Sequence, residues 1–293
     1  MIGRIVTLTA VALTLSAPAT SSSATISATS NIHDGLAVYI TGAIQEGDYK
    51  AALAAARQVS KSGTHVDFVL DSSGGDVVEA MKIGDLVSKL HARTIIWGKD
   101  IDKEPKAASK CFSSCFLIFI AGRERMADDN YRYAGASKEK FPVLGIHRPF
   151  INPAINKRLG LSDAEAAYSR VENMVRDYMR RFGTPHDLID SMFTIPSDEV
   201  RFVTKDEFKT RFGYERPYFD EWSKAKCGSL TPAEVQDYAA ILAERIMSGN
   251  EKHAPSRVSE GYAEYLVKKN TEVRACIKGA ILKHQRAVLT SEK

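Results

Sequence analysis

The sequence predicts an α/β fold in which a mainly parallel sheet is covered by helices. Short apolar runs alternate with segments whose apolar residues recur at helical spacing, which is typical of strands joined by helices. One helical segment near the middle of the chain is apolar on every side, and this predicts a helix buried inside the domain. From about residue 214 the strand patterns stop and amphipathic helical patterns follow. We therefore expect an α/β domain with a C-terminal α-helical extension.

Length and composition are those of an ordinary globular protein. The 293 residues suffice for one sizeable α/β domain with an appendage, and 44% apolar with 26% charged residues indicates neither disorder nor a fibrous class. The net charge of +4 arises from 40 basic and 36 acidic residues mixed along the chain. Because the basic residues do not cluster, the sequence gives no sign of a nucleic-acid partner.

Residues 1–24 have the pattern of a secretory signal peptide. Arg4 precedes an apolar run over residues 5–15, and the small residues that follow offer a cleavage context at Ala17-Pro-Ala19 or at Ser22-Ser-Ala24. The run is shorter than the ~20 apolar residues that span a bilayer. The sequence therefore predicts an exported protein, periplasmic or secreted, which meets the membrane only if the signal peptide stays uncleaved.

The remaining chain divides into a polar spacer over 25–35, an α/β domain over 36–213 and the helical extension over 214–293. The strand patterns are short apolar runs bounded by turn residues, at 36–40, 66–70, 94–97, 131–133, 143–146 and 200–203. The helical patterns of the domain lie at 49–59, 77–90, 113–121 and 162–182. Two amphipathic helices are expected in the extension, the first opened by the capping box Thr231-Pro-Ala-Glu234.

The four cysteines are candidates for disulfides, because an exported chain folds where such bonds form. Cys227 and Cys276 both lie in the extension, where a bridge would tie its helices together. Cys111 and Cys115 either bridge across the start of the buried helix or pack as small apolar side chains. We expect no metal site beside them, since no histidine or carboxylate lies at ligand spacing.

A glycine turn is the first of three motifs that carry chemistry. Asp71-Ser-Ser-Gly-Gly75 follows a strand and precedes a helix, so bare backbone N–H groups are expected at a sharp turn. Such a turn is either structural or an oxyanion site. In the second interpretation the donors are Gly74, Gly75 and, from the neighbouring buried helix, the N–H of Ser114.

A serine and a histidine supply the other two motifs. Ser113 opens the buried helix, where it is either an N-cap or a nucleophile, and the adjacent Ser114 could exchange roles with it. His147 ends a strand and is the natural general base, because its ordinary pKa near 6.5 lets it take and return a proton at neutral pH. Oxyanion donors, a nucleophile and a base are the parts that acyl transfer needs.

In order and context, these motifs resemble those of the Clp-protease/crotonase superfamily, and more closely its exported Clp-like proteins. The matching segments are Ser72-Ser-Gly-Gly75, Ser113 with the closing Ala121-Gly122, and His147-Arg-Pro149. The resemblance covers about residues 36–213. It implies stacked β-β-α units, assembly into a homo-oligomer, Ser113 as the nucleophile and His147 as the base.

The third catalytic residue does not align. The superfamily places an aspartate two residues before an aromatic residue that leads into a capped helix, and with Phe202 as that aromatic the aligned residue is Val200. Asp198 is the expected carboxylate after a local shift, with Glu199 as the alternate. If neither reaches His147, the site is a Ser–His dyad or has lost activity.

The resemblance implies a serine hydrolase, in particular an ATP-independent peptidase that acts on peptides or unfolded proteins and needs no cofactor. A catalytically weak or inactive binding or assembly protein of the cell envelope is the main alternative. Crotonase-type chemistry on an acyl thioester is disfavoured by export, because coenzyme A is a cytoplasmic metabolite. A Ser–Lys dyad through Lys106 or Lys110 would require a buried lysine, whereas both lie in a polar loop.

Overall fold

The computed structural model describes residues 23–31, 35–149, 161–196, 198–212, 215–250, 253, 255 and 258–292. The expected signal peptide lies outside the described residues as far as position 22. The strands are β1 (Thr25–Asn31), β2 (Gly35–Thr41), β3 (Phe68–Asp71), β4 (Thr94–Ile96), β5 (Cys111–Phe112), β6 (Arg125–Ala127), β7 (Asn130–Ala134), β8 (Ser137–Phe141), β9 (Leu144–Ile146) and β10 (Arg201–Val203). The helices are α1 (Asp48–Lys61), α2 (Val77–Lys89), α3 (Ser114–Ile120), α4 (Leu161–Arg181), α5 (His186–Thr194), α6 (Lys205–Phe212), α7 (Pro217–Cys227), α8 (Pro232–Ser248) and α9 (Glu260–Ser291).

The strands form two sheets and a separate hairpin. The larger sheet has the order β1-β2-β3-β4-β6. Strands β2, β3, β4 and β6 run parallel, and the edge strand β1 is antiparallel to β2. In the smaller sheet, of order β10-β9-β5, β5 and β9 are parallel and β10 is antiparallel. Strands β7 and β8 pair with each other, and Tyr131 of β7 also forms an isolated parallel bridge with Asp100. The expected α/β class with a mostly parallel sheet is confirmed.

The stretch expected to be a polar spacer instead contains strand β1. It pairs along its length with β2, and Ser23 before it forms a bridge with Ala43. Ala24, Ile26 and Ala28 pack against the main core, while polar residues occupy the positions between them. The segment thus has the period of two of a half-buried strand, which its high serine and threonine content obscured.

Helix α3 lies at the centre of the domain. All of its residues, from Ser114 to Ile120, are buried, as the sequence predicted for a helix without a polar face. It belongs to the core cluster that also contains residues of α1, α2, β2 and β3. A helix enclosed in this way fixes the position of whatever residue precedes it, and that residue is Ser113.

The C-terminal extension returns to the α/β domain instead of forming a body of its own. Helix α8 and the start of α9 share a small cluster of Ile241, Val258, Ala263 and Leu266. The last turns of α9, by contrast, insert Leu289 into the main core. The side chain of α9 residue Gln285 is buried there as well.

Both expected cysteine pairs are disulfides. Cys111–Cys115 joins β5 to α3, and Cys227–Cys276 joins the end of α7 to α9. Two disulfides are characteristic of proteins that fold in an oxidising compartment outside the cytoplasm. Over the part of the chain that the structure describes, none of the helices combines the length and the apolar character needed to cross a membrane.

Candidate active site

The three chemical motifs lie at the ends of neighbouring strands. Ser72, which follows β3, donates its N–H to Lys110 O at 2.7 Å and accepts from the N–H of Phe112 at 3.0 Å, so β3 continues directly alongside β5. Strand β5 in turn pairs with β9 in parallel, with Phe112 opposite Gly145. The carboxyl ends of β3, β5 and β9 therefore lie side by side, and they carry the glycine turn, Ser113 and His147.

Ser113 has a backbone conformation that is rare for a residue with a side chain. Its φ is 56° and its ψ is −128°, at the point where β5 turns into α3. A serine in a sharp, strained turn from strand to helix is the arrangement of a nucleophile elbow, which presents the hydroxyl group at the edge of a sheet. The N-cap interpretation fails, because the Ser113 side chain makes no capping hydrogen bond.

Ser114 is not an equivalent hydroxyl. It is 2% exposed, and its Oγ has no hydrogen-bond partner among the described residues. Ser113, which is partly exposed, is the one of the two that a substrate can reach.

The glycine turn lies directly against Ser113. A Cβ atom on Gly74, whose φ is +100°, would be 2.6 Å from Ser113 Cβ and 3.1 Å from Ser113 Oγ. A Cβ on Gly75 would be 2.1 Å from Ile44 O. Both glycines are therefore required by close approach, the first to the candidate nucleophile and the second to a supporting backbone segment.

Two residues that the sequence analysis did not single out hold this turn in place. Ser72 Oγ accepts the N–H of Gly74 at 3.1 Å. Ile44 donates its N–H to Gly74 O and accepts the N–H of Asp76, each at 2.8 Å. Since polar residues in a turn and a single isoleucine are common in any sequence, no local pattern could have identified these contacts.

The available oxyanion donors are two of the three that were expected. The N–H of Gly74 is already bound to Ser72 Oγ, so Gly74 makes room for Ser113 and does not serve as a donor. The N–H groups of Gly75 and Ser114 have no acceptor among the described residues. One main-chain donor in the glycine turn and one at the start of α3, next to a serine, are the components of an oxyanion hole.

His147 is buried and its ring orientation is fixed by the main chain. It is 7% exposed, and its Nδ1 lies 2.9 Å from the carbonyl oxygen of Arg148. A carbonyl oxygen only accepts, so Nδ1 carries the proton and a neutral ring keeps its lone pair on Nε2. This is the tautomer that a general base needs. Within the described residues, no hydrogen bond joins the ring to the Ser113 hydroxyl.

The two carboxylates expected beside His147 lie on the surface. Asp198 and Glu199 are exposed, and neither forms a hydrogen bond or an ion pair with the ring. The register explains why: Arg201 pairs with Ile146, and the Val200 side chain lies over Gly145, where a Cβ would be 2.5 Å from Val200 Cγ1. An apolar side chain thus occupies the position beside the β9 strand, and the two carboxylates fall in the turn before it.

The pKa of Asp71, the last residue of β3, is raised by its position beside the glycine turn. Burial raises the pKa of the Asp71 carboxyl, against the opposing effects of a hydrogen bond from the Lys110 N–H and the charges of Lys99 and Lys110. Lys106 and Lys110 are themselves exposed, so neither provides the buried amine that a Ser–Lys dyad requires.

No metal-binding arrangement is found in the part of the chain that the structure describes, which contains no group of three or more histidine, cysteine and acidic side chains placed to hold an ion. A cavity of about 1420 Å³ lies far from the serine, against α7, α8 and α9. Its lining includes Asp67, Arg93 and Arg123, which precede β3, β4 and β6. The cavity therefore lies at the amino ends of these strands, whereas Ser113 lies at the carboxyl ends. It is a separate feature of the molecule.

A comparison with models of known protein families gives no match for this chain, and neither does a comparison with curated proteins.

Proposed function

We propose that this protein is an exported serine hydrolase that cleaves peptide bonds without ATP. The strained backbone of Ser113 between β5 and α3 is the observation that carries the proposal. Strain at a single non-glycine residue persists only where the surroundings over-determine it, and it concentrates at functional sites. The resemblance of the motif order to the Clp-protease/crotonase superfamily supports the same chemistry.

In the proposed reaction, Ser113 Oγ attacks the carbonyl carbon of the scissile bond and its proton passes to His147 Nε2. The negative charge that develops on the carbonyl oxygen is held by the N–H groups of Gly75 and Ser114, each of which is worth about 3 kcal/mol in such a site. The C–N bond then breaks, and His147 gives its proton to the leaving amine. In the second half of the reaction, water attacks the acyl carbon and gives a proton to His147. The bond from that carbon to Ser113 Oγ then breaks, and His147 returns the proton to Ser113.

The Arg148 carbonyl takes one of the two tasks that a catalytic aspartate performs. It fixes the tautomer of His147 through the 2.9 Å contact to Nδ1. It does not supply the negative charge that would stabilise the imidazolium formed during catalysis. Replacing that carboxylate by an amide costs a catalytic triad about 10⁴ in turnover, so the carbonyl takes over only the orienting part of its role.

The test is covalent labelling by a fluorophosphonate probe, which reacts with activated serines. Wild type and Ser114→Ala are expected to be labelled, and Ser113→Ala is expected to be silent. Circular dichroism on all three samples establishes that each is folded. Folded wild type that stays unlabelled across the pH range would overturn the hydrolase proposal.

A non-catalytic binding or assembly protein of the cell envelope is the second candidate. The specific observation in its favour is that Asp198 and Glu199, the carboxylates nearest the aligned position, are exposed and form no hydrogen bond to the His147 ring. This candidate predicts that Ser113→Ala binds partner peptides as well as wild type does and that neither is labelled.

Export is part of the proposal, and the contacts of Ser23 favour one of the two cleavage contexts. Ser23 Oγ donates to Asp48 at 3.2 Å, and Ser23 pairs with Ala43. Cleavage after Ala24 would remove this residue, whereas cleavage after Ala19 keeps it. We therefore propose Thr20 as the first residue of the mature chain, which the intact mass of the exported protein tests.

A further inference from the structure

The Cys111–Cys115 disulfide encloses the candidate nucleophile. Cys111 lies in β5 and Cys115 in the first turn of α3, with a sequence separation of 4 and a Cα–Cα distance of 5.2 Å. Ser113 is the middle residue of the closed ring. The bridge therefore ties the strand end to the helix start across a residue whose backbone is strained.

This position gives the bridge a mechanical effect on Ser113. A serine with φ of 56° gains free energy by rotating to negative φ, which would swing the hydroxyl group away from the glycine turn. That rotation requires Cys111 and Cys115 to change their separation, which a covalent link between their side chains resists. The hydrogen bond from Ser113 N–H to Gly145 O restrains the same residue from the other side.

The Cys111–Cys115 bridge is buried, which distinguishes it from a disulfide that acts as a redox switch. Both Cys111 and Cys115 are 0% exposed, so a reductant in solution has no direct path to either sulfur in the folded protein. Cys276, by contrast, is exposed. The buried bridge is thus permanent in the folded state, as a positioning element has to be.

The second disulfide provides a built-in comparison. Cys227–Cys276 closes a loop with a sequence separation of 49, far longer than the separation of 4 closed by Cys111–Cys115. Since the stabilisation from a disulfide increases with the length of the loop it closes, the longer bridge should contribute more to stability. The shorter bridge lies at the candidate nucleophile and the longer one does not.

We propose that Cys111 and Cys115 are positioning residues, whose disulfide holds Ser113 in its reactive conformation. The proposal rests on the proposed hydrolase function. It predicts a crossed pattern: loss of the short bridge mainly lowers reactivity, and loss of the long bridge mainly lowers stability.

The experiment measures fluorophosphonate labelling at several probe concentrations, well below the melting temperature of every variant. For Cys111→Ala/Cys115→Ala we expect the maximal labelling rate to fall roughly 10–100-fold, with the half-saturating probe concentration within about twofold of wild type, because misplacement of a reacting atom affects the reactive step. For the matched control Cys227→Ala/Cys276→Ala we expect an unchanged labelling rate and the larger drop in melting temperature.

A labelling rate of the first double variant within about twofold of wild type would refute the positioning role while leaving the hydrolase intact. Unlabelled wild type would refute the hydrolase, and the positioning role with it. If Cys111→Ala/Cys115→Ala does not fold, wild type is treated with a phosphine reductant and its free thiols are alkylated. Mass spectrometry then identifies which cysteines carry the alkyl group. We expect only Cys227 and Cys276 to be modified, with full labelling retained, and a native protein that is labelled equally well after Cys111 and Cys115 are alkylated would contradict the proposal.

Discussion

The backbone N–H of Ser113 donates a 2.9 Å hydrogen bond to the carbonyl of Gly145, on the strand that ends at His147. This bond connects the residue with the strained backbone to the strand that carries the candidate base. Movement of one strand end is thereby transmitted to the other. The relative position of the two strand ends is thus set by main-chain pairing.

Replacing Ser113 by glycine should stabilise the protein. Glycine adopts φ of 56° without the cost that a side chain incurs, so Ser113→Gly should exceed Ser113→Ala in free energy of unfolding by about 1–2 kcal/mol. Urea denaturation of the two variants measures the difference. As a control of opposite sign, Ala54→Gly on the exposed face of α1 should lose about 1 kcal/mol. Equal stability of the two Ser113 variants would show that the backbone is unstrained.

Removing the Ser114 hydroxyl should also be favourable. Its Oγ is buried without a hydrogen-bond partner among the described residues, and an unsatisfied hydroxyl of this kind costs about 1 kcal/mol or more. Ser114→Ala is expected to raise the melting temperature and to keep fluorophosphonate labelling. A lower melting temperature would indicate that the hydroxyl group has a partner after all, such as a buried water.

Removing the Gln285 amide should destabilise the whole domain. Its Oε1 accepts the N–H of Val66 at 2.9 Å, and its Nε2 donates to Val66 O at 3.2 Å and to Leu90 O at 3.0 Å. Gln285→Ala leaves three buried main-chain groups unpaired, for which we expect a loss of roughly 3–5 kcal/mol. The exposed Gln236→Ala in α8 is the matched control and should change stability by less than about 0.5 kcal/mol. Similar losses for both variants would argue against the proposed role of Gln285.

Stability should fall as the solution becomes acidic, in part through His91. Burial, followed by the charges of His284, Arg123 and Arg216, lowers the pKa of His91 from 6.5 to about 4. Its ring is enclosed by those of His284 and Trp222, at 4.3 and 5.0 Å between centroids. Between about pH 6.5 and 4 the unfolded chain therefore binds a proton that the folded protein does not, and stability decreases as pH falls through this window.

Allowing for the partial solvent exposure of the ring, we expect this decrease to be about 1–2 kcal/mol. His91→Asn removes the titrating group and keeps a residue that tolerates the φ of 47° at this position. The measurement is the difference in free energy of unfolding between pH 7 and pH 4.5. That difference should shrink in His91→Asn and stay as in wild type for His253→Asn, an exposed histidine; an unchanged difference in His91→Asn would refute the assignment.

The sequence was informative about the fold wherever burial leaves a periodic pattern. Helices α1 and α2 and the all-apolar α3 were expected within a few residues of their observed ends. Strand β1 was missed because its inward residues are small or few, and α7 was missed because a short helix that begins at a proline has little room to display a period. The periodicity of a segment can be recognised from its own residues, whereas its pairing depends on the neighbouring strand.

The candidate site was predictable in its parts but not in its connections. Ser113, His147 and the glycine turn were identified from residue type and local context. The supporting contacts of Ser72 and Ile44, and the role of the Arg148 carbonyl, join segments whose association follows only from the fold. The role of Asp198 stays a prediction, since the register of β10 against β9 turns Val200, and not this carboxylate, toward Gly145.

Helix α9 is attached to the segment before β3 and to the end of α2, and this has a consequence for how the protein folds. Val66 and Leu90 precede Gln285 by about 200 residues, yet the Val66 N–H and the carbonyl oxygens of both residues find a partner in its buried amide. Arg57 likewise waits for the carbonyl of Leu289. The buried hydrogen bonds of the α/β domain are therefore complete only after α9 has docked, so folding of the two parts is a single cooperative event.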